Sequence, residues 1–303
     1  KSVENLLIAH NRLPRSGDDD FTMNGYVVQA NERGKGKAAV AIDGVRFDYD
    51  NRPGIYANHF AVGGPGGVGP NGTPETHPEG FRKGTVMHGN YVFSTGRCAI
   101  GFSGDGTVAT GNVIRFAKDA WRPTATGRDR TSGSSTNDTR AMEIRGWRWD
   151  VSDNDYEVHR NWAYDRKYPI NDGEGLMHED HCNSSIRDSV MRGNRGNAYL
   201  SLYKTAGIDG LLIEGNDIRP PGGASSIAPI FVSANRTREP FPIRNVTIRG
   251  NTTNGAILIE GKPGENNLVE GNQFVGQGEG VIQNRASATV RDNRGFKEAN
   301  QPE

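Results

Sequence analysis

A short apolar strand that ends in Gly-Asn, or in a variant of that pair, recurs along the chain. The recurring segments are LLIAHN up to Asn11, VAIDG up to Gly44, VMHGN up to Asn90, TVATGN up to Asn112, YEVHRN up to Asn161, SSIRD up to Asp188, LLIEGN up to Asn216, VTIRGN up to Asn251, LVEGN up to Asn272 and TVRDN up to Asn293. The interval is 22 residues from Asn90 to Asn112, and 21 residues both from Asn251 to Asn272 and from Asn272 to Asn293. A fixed period of this length is typical of a solenoid.

The local pattern within each repeat indicates β-strands. Apolar residues alternate, as at Val246 and Ile248, and the turns are rich in Gly, Asn and Asp. We therefore predict an all-β fold, a single-stranded right-handed parallel β-helix of about ten coils. One Asn per coil at the same turn predicts a ladder of stacked, hydrogen-bonded amides. In this respect the chain resembles the pectate-lyase-like β-helix superfamily.

A second set of strands follows the Asn turns. Its members are CAIGF (98–102), AMEIR (141–145), LMHED (176–180), AYLSL (198–202), PIFVS (229–233), AILIE (256–260) and VIQNR (281–285). We expect all of them to stack into one parallel sheet. The resemblance to the pectate-lyase-like superfamily implies that this sheet carries a groove that holds a polymer.

The chain is predicted to be a single domain, with insertions where the repeat is interrupted. Residues 1–303 form that domain, and the insertions lie near residues 50–83, 118–139 and 219–242. Long loops in a solenoid are usually functional. Because KSVENLLIAHNRL already has the pattern of a strand followed by a turn, we expect an upstream segment before residue 1.

Charge and hydropathy narrow the class of partner. Lys and Arg total 36, as do Asp and Glu, so no net field favours nucleic acid or a membrane surface. Only 34% of the residues are hydrophobic, with a mean hydropathy of −0.69, which fits a solenoid with a narrow core. We expect a monomer that is secreted or periplasmic, of bacterial origin, with a polysaccharide as its partner.

Ionisable and aromatic residues concentrate in the middle of the chain. The candidate catalytic residues are Glu143, His178, Glu179, Asp180, His181 and Tyr203, and the candidate substrate-binding residues are Arg145, Trp147, Tyr164, Arg166, Tyr199 and Lys204. The four consecutive residues HEDH (178–181) would place two ionisable groups on each face of a strand, and burying such groups is costly unless they are paired. Aromatic faces such as that of Trp147 either pack in the core or stack on sugar rings.

Two kinds of chemistry fit these residues. A β-elimination needs a base, which His178 or His181 would supply, and a proton donor, for which Tyr203 is the candidate. It also needs a cation for the substrate carboxylate, supplied by Arg145, Arg166 or Lys204. A glycoside hydrolysis instead needs two carboxyl groups, available from Glu143, Glu179 and Asp180.

The stretch 173–216 resembles the alginate lyase and chondroitinase B family of β-helix lyases. The resemblance rests on GEGLMHEDHCNSSIRDSVMRGNRGNAYLSLYKTAGIDGLLIEGN and implies β-elimination on a uronate polymer, with a Lys base, an Arg acid and Ca²⁺ on the substrate carboxylate. This chain has Asp180 in place of that Lys and Tyr203 in place of that Arg, so the family's catalytic roles are not carried over. Whether Ca²⁺ takes part stays open, and no ligand spacing predicts a metal site.

We therefore expect a polysaccharide lyase first. A glycoside hydrolase is the second interpretation, and a non-catalytic glycan-binding or surface protein is the third. The fold itself does not choose among them, because β-helices support many functions.

Overall fold

The computed structural model describes residues 5–9, 12–13, 26–28, 39–43, 46–48, 58–62, 75, 82–94, 98–117, 140–159, 185–202, 205–220, 228–235 and 240–300. Within these ranges all the regular structure is β-strand, and every strand pair is parallel. No helix in the described part of the chain is long and apolar enough to cross a membrane. The chain is thus an all-β parallel solenoid of the β-helix type.

The strands form four sheets, which we name A to D. Sheet A contains, in spatial order, β1 (Asn5–Ala9), β4 (Ala39–Asp43), β8 (Val86–His88), β11 (Val108–Thr110), β14 (Asp150–Ser152), β16 (Ile186–Arg192), β19 (Ile208–Glu214), β22 (Pro242–Arg249), β26 (Leu268–Glu270) and β29 (Thr289–Arg291), with β25 (Lys262–Pro263) beside β22. Sheet B contains β2 (Arg12–Leu13), β5 (Arg46–Asp48), β9 (Tyr91–Ser94), β12 (Val113–Ala117), β15 (Asp155–His159), β17 (Arg195–Gly196), β20 (Asp217–Ile218), β23 (Thr252–Thr253) and β27 (Gln273–Phe274).

The remaining strands form the third side of the solenoid. Sheet C contains β13 (Arg140–Trp147), β10 (Cys98–Asp105), β6 (Asn58–Val62) and β3 (Tyr26–Val28), with β7 (Arg82–Lys83) beside β10. Sheet D contains β18 (Leu200–Leu202), β21 (Ile230–Ser233), β24 (Ile257–Glu260), β28 (Gly280–Arg285) and β30 (Phe296–Asn300). A coil therefore passes through sheet A, then sheet B, then sheet C or D.

The core consists of side chains stacked in columns from coil to coil. From β8 to β29, sheet A contributes one column of inward residues, which consists of Met87, Ala109, Val151, Met191, Ile213, Ile248, Val269 and Val290. Sheet D contributes inward residues such as Ile230 and Ile257, both fully buried. Each such aliphatic side chain contributes about 1.5–3 kcal/mol by burial. A solenoid of this polarity is stable because every coil adds residues to the same narrow core.

A ladder of asparagines, buried except at its last rung, lines the corner between sheets A and B. Its members among the described residues are Asn90, Asn112, Asn154, Asn194, Asn216, Asn251, Asn272 and Asn293. Each side-chain amide donates to the Oδ1 of the next asparagine at 2.8–2.9 Å, as in Asn216 to Asn251. The residue before each asparagine has a φ between 56° and 64°, as at Gly215, so Gly or Asp is favoured there.

The ladder confirms one prediction and corrects two of its rungs. Asn154 and Asn194 occupy the rungs of the two coils for which Asn161 and Asp188 were predicted. Asp188 is an exposed residue with a φ of 48°, on β16, six residues before the rung. Asp153 precedes Asn154 as Asp292 precedes Asn293, so both rungs have the Asp-Asn variant of the pair. The predicted positions Asn11, Gly44 and Asn161 lie outside the described residues.

The predicted second set of strands divides between two sheets. CAIGF and AMEIR belong to sheet C, whereas AYLSL, PIFVS, AILIE and VIQNR belong to sheet D. LMHED lies outside the described residues. Sheet B was not predicted as a separate sheet, because several of its strands are only two residues long and show no alternation.

Candidate functional site

The lengths of the connections distinguish one side of the solenoid from the others. Among the strands that the structure describes, all nine connections from a sheet A strand to the following sheet B strand contain two residues, as between Arg192 and Arg195. The long connections, such as residues 63–81, 118–139 and 160–185, come after a sheet B strand and before the next sheet A strand, in the part of the coil that also contains the strands of sheets C and D. Since loops on a rigid scaffold carry most functional residues, the side of sheets C and D is the candidate functional side.

Strand β13 presents two of the predicted residues on the outer face of sheet C. Met142 and Ile144 are fully buried in the core, so positions 143 and 145 lie on the opposite face. In the neighbouring strand β10, these positions pair with Gly101 and Ser103, which are small. The backbone thus places Glu143 and Arg145 on one face, two residues apart, beside small neighbours. Arg145 is 8% exposed.

Trp147, at the end of β13, is packed between two coils. Its indole N–H donates to Ser185 Oγ at 2.9 Å, and the Arg187 guanidinium lies over its ring at 4.1 Å from the centroid. Arg148 approaches the same ring at 5.8 Å. Trp147 is 3% exposed, and Trp149 is 1% exposed within the core. Because Arg187 covers the indole, a sugar ring would meet Arg187 before it met Trp147. The role of Trp147 in sugar stacking stays a prediction.

Charged side chains surround Trp147 and connect distant parts of the sequence. Arg148 forms an ion pair with Asp105 at 2.6 Å, and this hydrogen bond raises the pKa of Arg148. Arg187 forms an exposed ion pair at 3.3 Å with Glu75, which comes from the insertion predicted near residues 50–83. The end of β13, the coil of Ser185 and that insertion therefore meet at Trp147. We call these residues (Glu75, Asp105, Trp147, Arg148 and Arg187) the Trp147 cluster.

The outer face of sheet D is aromatic at one end and charged at the other. Leu200, Leu202, Ile230 and Val232 point into the core, so Tyr199, Ser201, Phe231 and Ser233 lie on the outer face. Tyr199 and Ser201 are nonetheless buried, and Phe231 is half-buried. Further along, Ser233 donates to Glu260 at 2.6 Å, and Arg285 forms an ion pair with Glu260 at 3.3 Å.

The structure describes four of the predicted site residues, three of them with their side chains. Arg145 and Trp147 lie on the same strand with the backbone of Glu143, and Tyr199 belongs to the sheet D face. The other predicted residues lie outside the described part of the chain: Tyr164, Arg166, His178, Glu179, Asp180, His181, Tyr203 and Lys204. Their roles stay predictions.

The aspartates near the middle of the chain are engaged in ion pairs. Asp150 pairs with Arg192 at 3.1 Å, and Asp155 pairs with Arg115 at 2.8 Å and with Arg195 at 2.9 Å. Among the residues that the structure describes, no three His, Cys, Asp or Glu side chains are grouped so as to hold a metal ion.

The sequence interpretation missed Asp105, Arg148 and Arg187. Asp105, Trp147 and Arg187 stand seven residues before the ladder residues Asn112, Asn154 and Asn194. The signal therefore existed, but it becomes visible only when the correct rungs are known.

No family model, no curated protein and no solved structure matches this chain.

Proposed function

We propose that this protein cleaves an extracellular, uronate-containing polysaccharide by β-elimination on the outer face of sheets C and D. The observation that supports the proposal is the confinement of long connections to that side, while the corner between sheets A and B keeps one length throughout. A solenoid that varies on one side only is built like a binding scaffold, with irregular loops beside a regular sheet.

The distribution of charge favours an acidic polymer on sheets C and D over sheet A. On the outer face of sheet A, successive coils alternate in sign, as in Glu214, Arg249, Glu270 and Arg291. A polyanion lying along that face would meet repulsion at every second coil. Arg145 lies on the outer face of sheet C, and a guanidinium suits bidentate binding of a uronate carboxylate.

The chemical step assigns three roles. A base removes the proton from the carbon next to the substrate carboxylate, the bond to the leaving glycosidic oxygen breaks, and a donor protonates that oxygen. His178 or His181 is the proposed base, and Tyr203 is the proposed donor. Arg145 binds the carboxylate and stabilises the charge that develops as the proton leaves.

The proposal includes finer features of the fold. We infer a right-handed solenoid of about ten coils, related to the pectate-lyase-like β-helices, in a secreted or periplasmic protein. Support comes from the ten strands along the path of sheet A and from the strong preference of parallel crossovers for the right hand.

A panel of acidic and neutral polysaccharides tests the reaction. We expect ultraviolet absorbance of unsaturated products to rise together with new reducing ends on a uronate polymer, because β-elimination creates a double bond. Reducing ends without absorbance would establish hydrolysis, and the candidates would then be Glu143, Glu179 and Asp180. Silence in both assays across the panel would contradict a depolymerase and leave epimerisation or glycan binding as the function.

A pair of matched arginine variants tests the role of Arg145. We expect Arg145→Gln to lower kcat/KM on the uronate polymer by at least about tenfold, because a charge-assisted contact with the substrate is lost. Arg291→Gln, at the Glu270 ion pair on sheet A, serves as the control and keeps full activity. Arg145→Lys retains the charge at this buried position and is the second variant to test if Arg145→Gln does not fold. Full activity of a folded Arg145→Gln protein would exclude the proposed role.

A further inference from the structure

The outer face of sheet A carries an apolar stripe between two charged rows. The stripe consists of Val190, Leu212, Thr247 and Leu268, which pair in register and are all half-buried. The first charged row is Arg187, Asp209 and Arg244, with Glu265 beside Arg244 because Asn266 hydrogen-bonds to Asn245, and the second row is Arg192, Glu214, Arg249 and Glu270. The stripe runs along the solenoid with one residue from each coil.

Within each coil the two rows carry the same sign. The coil of β16 has Arg187 and Arg192, and the next coil has Asp209 and Glu214. The sign reverses from coil to coil, which allows ion pairs within the chain, such as Asp209 with Arg244 at 2.7 Å and Glu214 with Arg249 at 2.7 Å. The hydrogen bond from Arg244 lowers the pKa of Asp209, so this carboxylate is charged at neutral pH. The face is therefore banded, positive and negative in turn.

A banded face of this kind is complementary to itself in one orientation. If a second copy faces the first with its solenoid axis antiparallel, and the two-fold axis lies between β19 and β22, positive bands meet negative bands throughout. Arg192 then faces Glu270 of the second copy, and Glu214 faces Arg249 of the second copy. In the parallel orientation without a shift, bands of the same sign would meet. Reversal of four alternating bands is thus the arrangement that pairs every charge of the two rows.

The coils on either side extend this complementarity. In the same antiparallel arrangement, β14 lies opposite β29 of the second copy. Because Asp150 is in register with Val190 and Arg291 with Glu270, Asp150 then lies opposite Thr289 of the second copy and diagonal to its Arg291. In the centre, Leu212 lies opposite Thr247 of the second copy, and Val190 opposite Leu268, so the stripe is covered by apolar and β-branched groups.

We infer that the outer face of sheet A is an isologous interface through which two copies of this chain form an antiparallel, two-fold dimer. Six coils at ~4.8 Å each, by a width of about 16 Å between the rows, give roughly 900 Å² buried over both partners, which is the size of a weak interface. Because most charges of the two rows already have an ion-pair partner within the chain, the bands determine orientation more than affinity. The inference replaces the monomer expected from the sequence, and it does not depend on the proposed catalytic function.

Charge reversal followed by complementation tests the orientation. Arg192→Glu alone puts Glu against Glu270 of the second copy twice per dimer, and Glu270→Arg alone puts Arg against Arg192 twice. We expect each variant alone to weaken dimerisation by at least about tenfold in sedimentation velocity over a range of protein concentrations. An equimolar mixture of the two variants restores association, because the glutamate of one variant meets the arginine of the other.

Arg195→Glu is the matched control, since it changes the same charge on sheet B, at the Asp155 ion pair. It should leave the dimerisation constant within about threefold of wild type. Thermal melts establish that each variant is folded, and the two reversed variants provide independent tests. Sedimentation of the wild-type protein as a monomer at every concentration would overturn the inference. So would a mixture that associates no better than its components.

Discussion

At the scale of the residue, the buried asparagines show how a polar side chain stabilises the interior of a narrow solenoid. Asn216 donates to the backbone carbonyl of Met191 at 3.0 Å and to Asn251 Oδ1 at 2.9 Å, while its own Oδ1 accepts from the backbone and side chain of Asn194, both at 2.9 Å. Both hydrogens of its side-chain amide and its oxygen are thus bonded. A buried amide contributes to stability only when its groups are satisfied in this way.

Asn216→Ala is expected to lower the free energy of unfolding by about 3 kcal/mol or more. The change leaves the Met191 carbonyl and the Asn194 amide buried without partners, and each orphaned group costs about 1–3 kcal/mol. Urea denaturation measures the effect. Asn293→Ala is the control, because Asn293 is half-exposed at the end of the ladder and should cost clearly less. Equal losses for the two variants would contradict the importance of burial.

Tyr156 gives a prediction about alkaline pH. Its hydroxyl is buried, 3.8 Å from the Met142 sulfur, and burial raises its pKa. The unfolded chain ionises this group near pH 10, whereas the folded protein keeps it protonated, so its contribution to stability is complete below about pH 10 and falls as the pH rises further.

Tyr156→Phe should therefore reduce the loss of thermal stability between pH 8 and pH 10.5. At pH 8 the variant should match wild type closely, since the sulfur is a weak acceptor. Melting temperatures of both proteins at the two pH values provide the measurement. An unchanged pH dependence in the variant would show that other groups control the alkaline transition.

At the scale of the element, the strands of sheet B depend on close contact between coils. Gly196 in β17 has a φ of 143°, and a Cβ at this position would lie 2.0 Å from the Tyr156 carbonyl oxygen. The contact is with backbone, so no side chain can move to relieve it. The glycine is thus required both by the coil below it and by its own positive φ.

We expect Gly196→Ala to destabilise the fold by more than about 3 kcal/mol, because the backbone of one coil must shift. Gly215→Ala is the matched control, since Gly215 has a φ of 62° and open space around its Cβ position. The control should cost only the left-handed conformation itself, about 1–2 kcal/mol. Chemical denaturation of the two variants measures the extra cost at Gly196, and similar losses would argue against the predicted clash.

At the scale of the whole molecule, stability is shared between neighbouring coils. Each backbone N–H of the ladder donates to the Oδ1 of the next rung, at 2.9–3.1 Å from Asn90 to Asn272. Each rung therefore connects only to the coils beside it, and a central rung is held from both directions.

Hydrogen exchange should follow this arrangement. We expect the slowest amide exchange in peptides that contain Asn154, Asn194 and Asn216, with faster exchange towards Asn293, where the ladder ends among the described residues. Hydrogen–deuterium exchange with mass spectrometry measures this gradient. Uniform protection along the ladder would instead indicate that the solenoid opens as one cooperative unit.

The candidate site could be predicted from the sequence only in part. Arg145 and Trp147 stood out by residue type, and both lie on β13. Arg187 and Asp105 did not stand out, because they are far from Trp147 in the sequence and meet it only when coils of 42 and 40 residues are stacked. Residue type signals candidates, whereas the neighbours of each candidate depend on the register between coils.

The sequence by itself determined the parallel solenoid, its β-strands and its asparagine ladder, because a period of about 21 residues and two-residue alternation are local patterns that stacking repeats. Only the tertiary structure decided that Asn154 and Asn194 are rungs, that sheet B exists, and that charges of one sign border each strand of sheet A from β16 to β26. The physical reason is the insertions. Their unequal lengths leave the local pattern intact but hide which residues share a column, and only the stacked coils restore that correspondence.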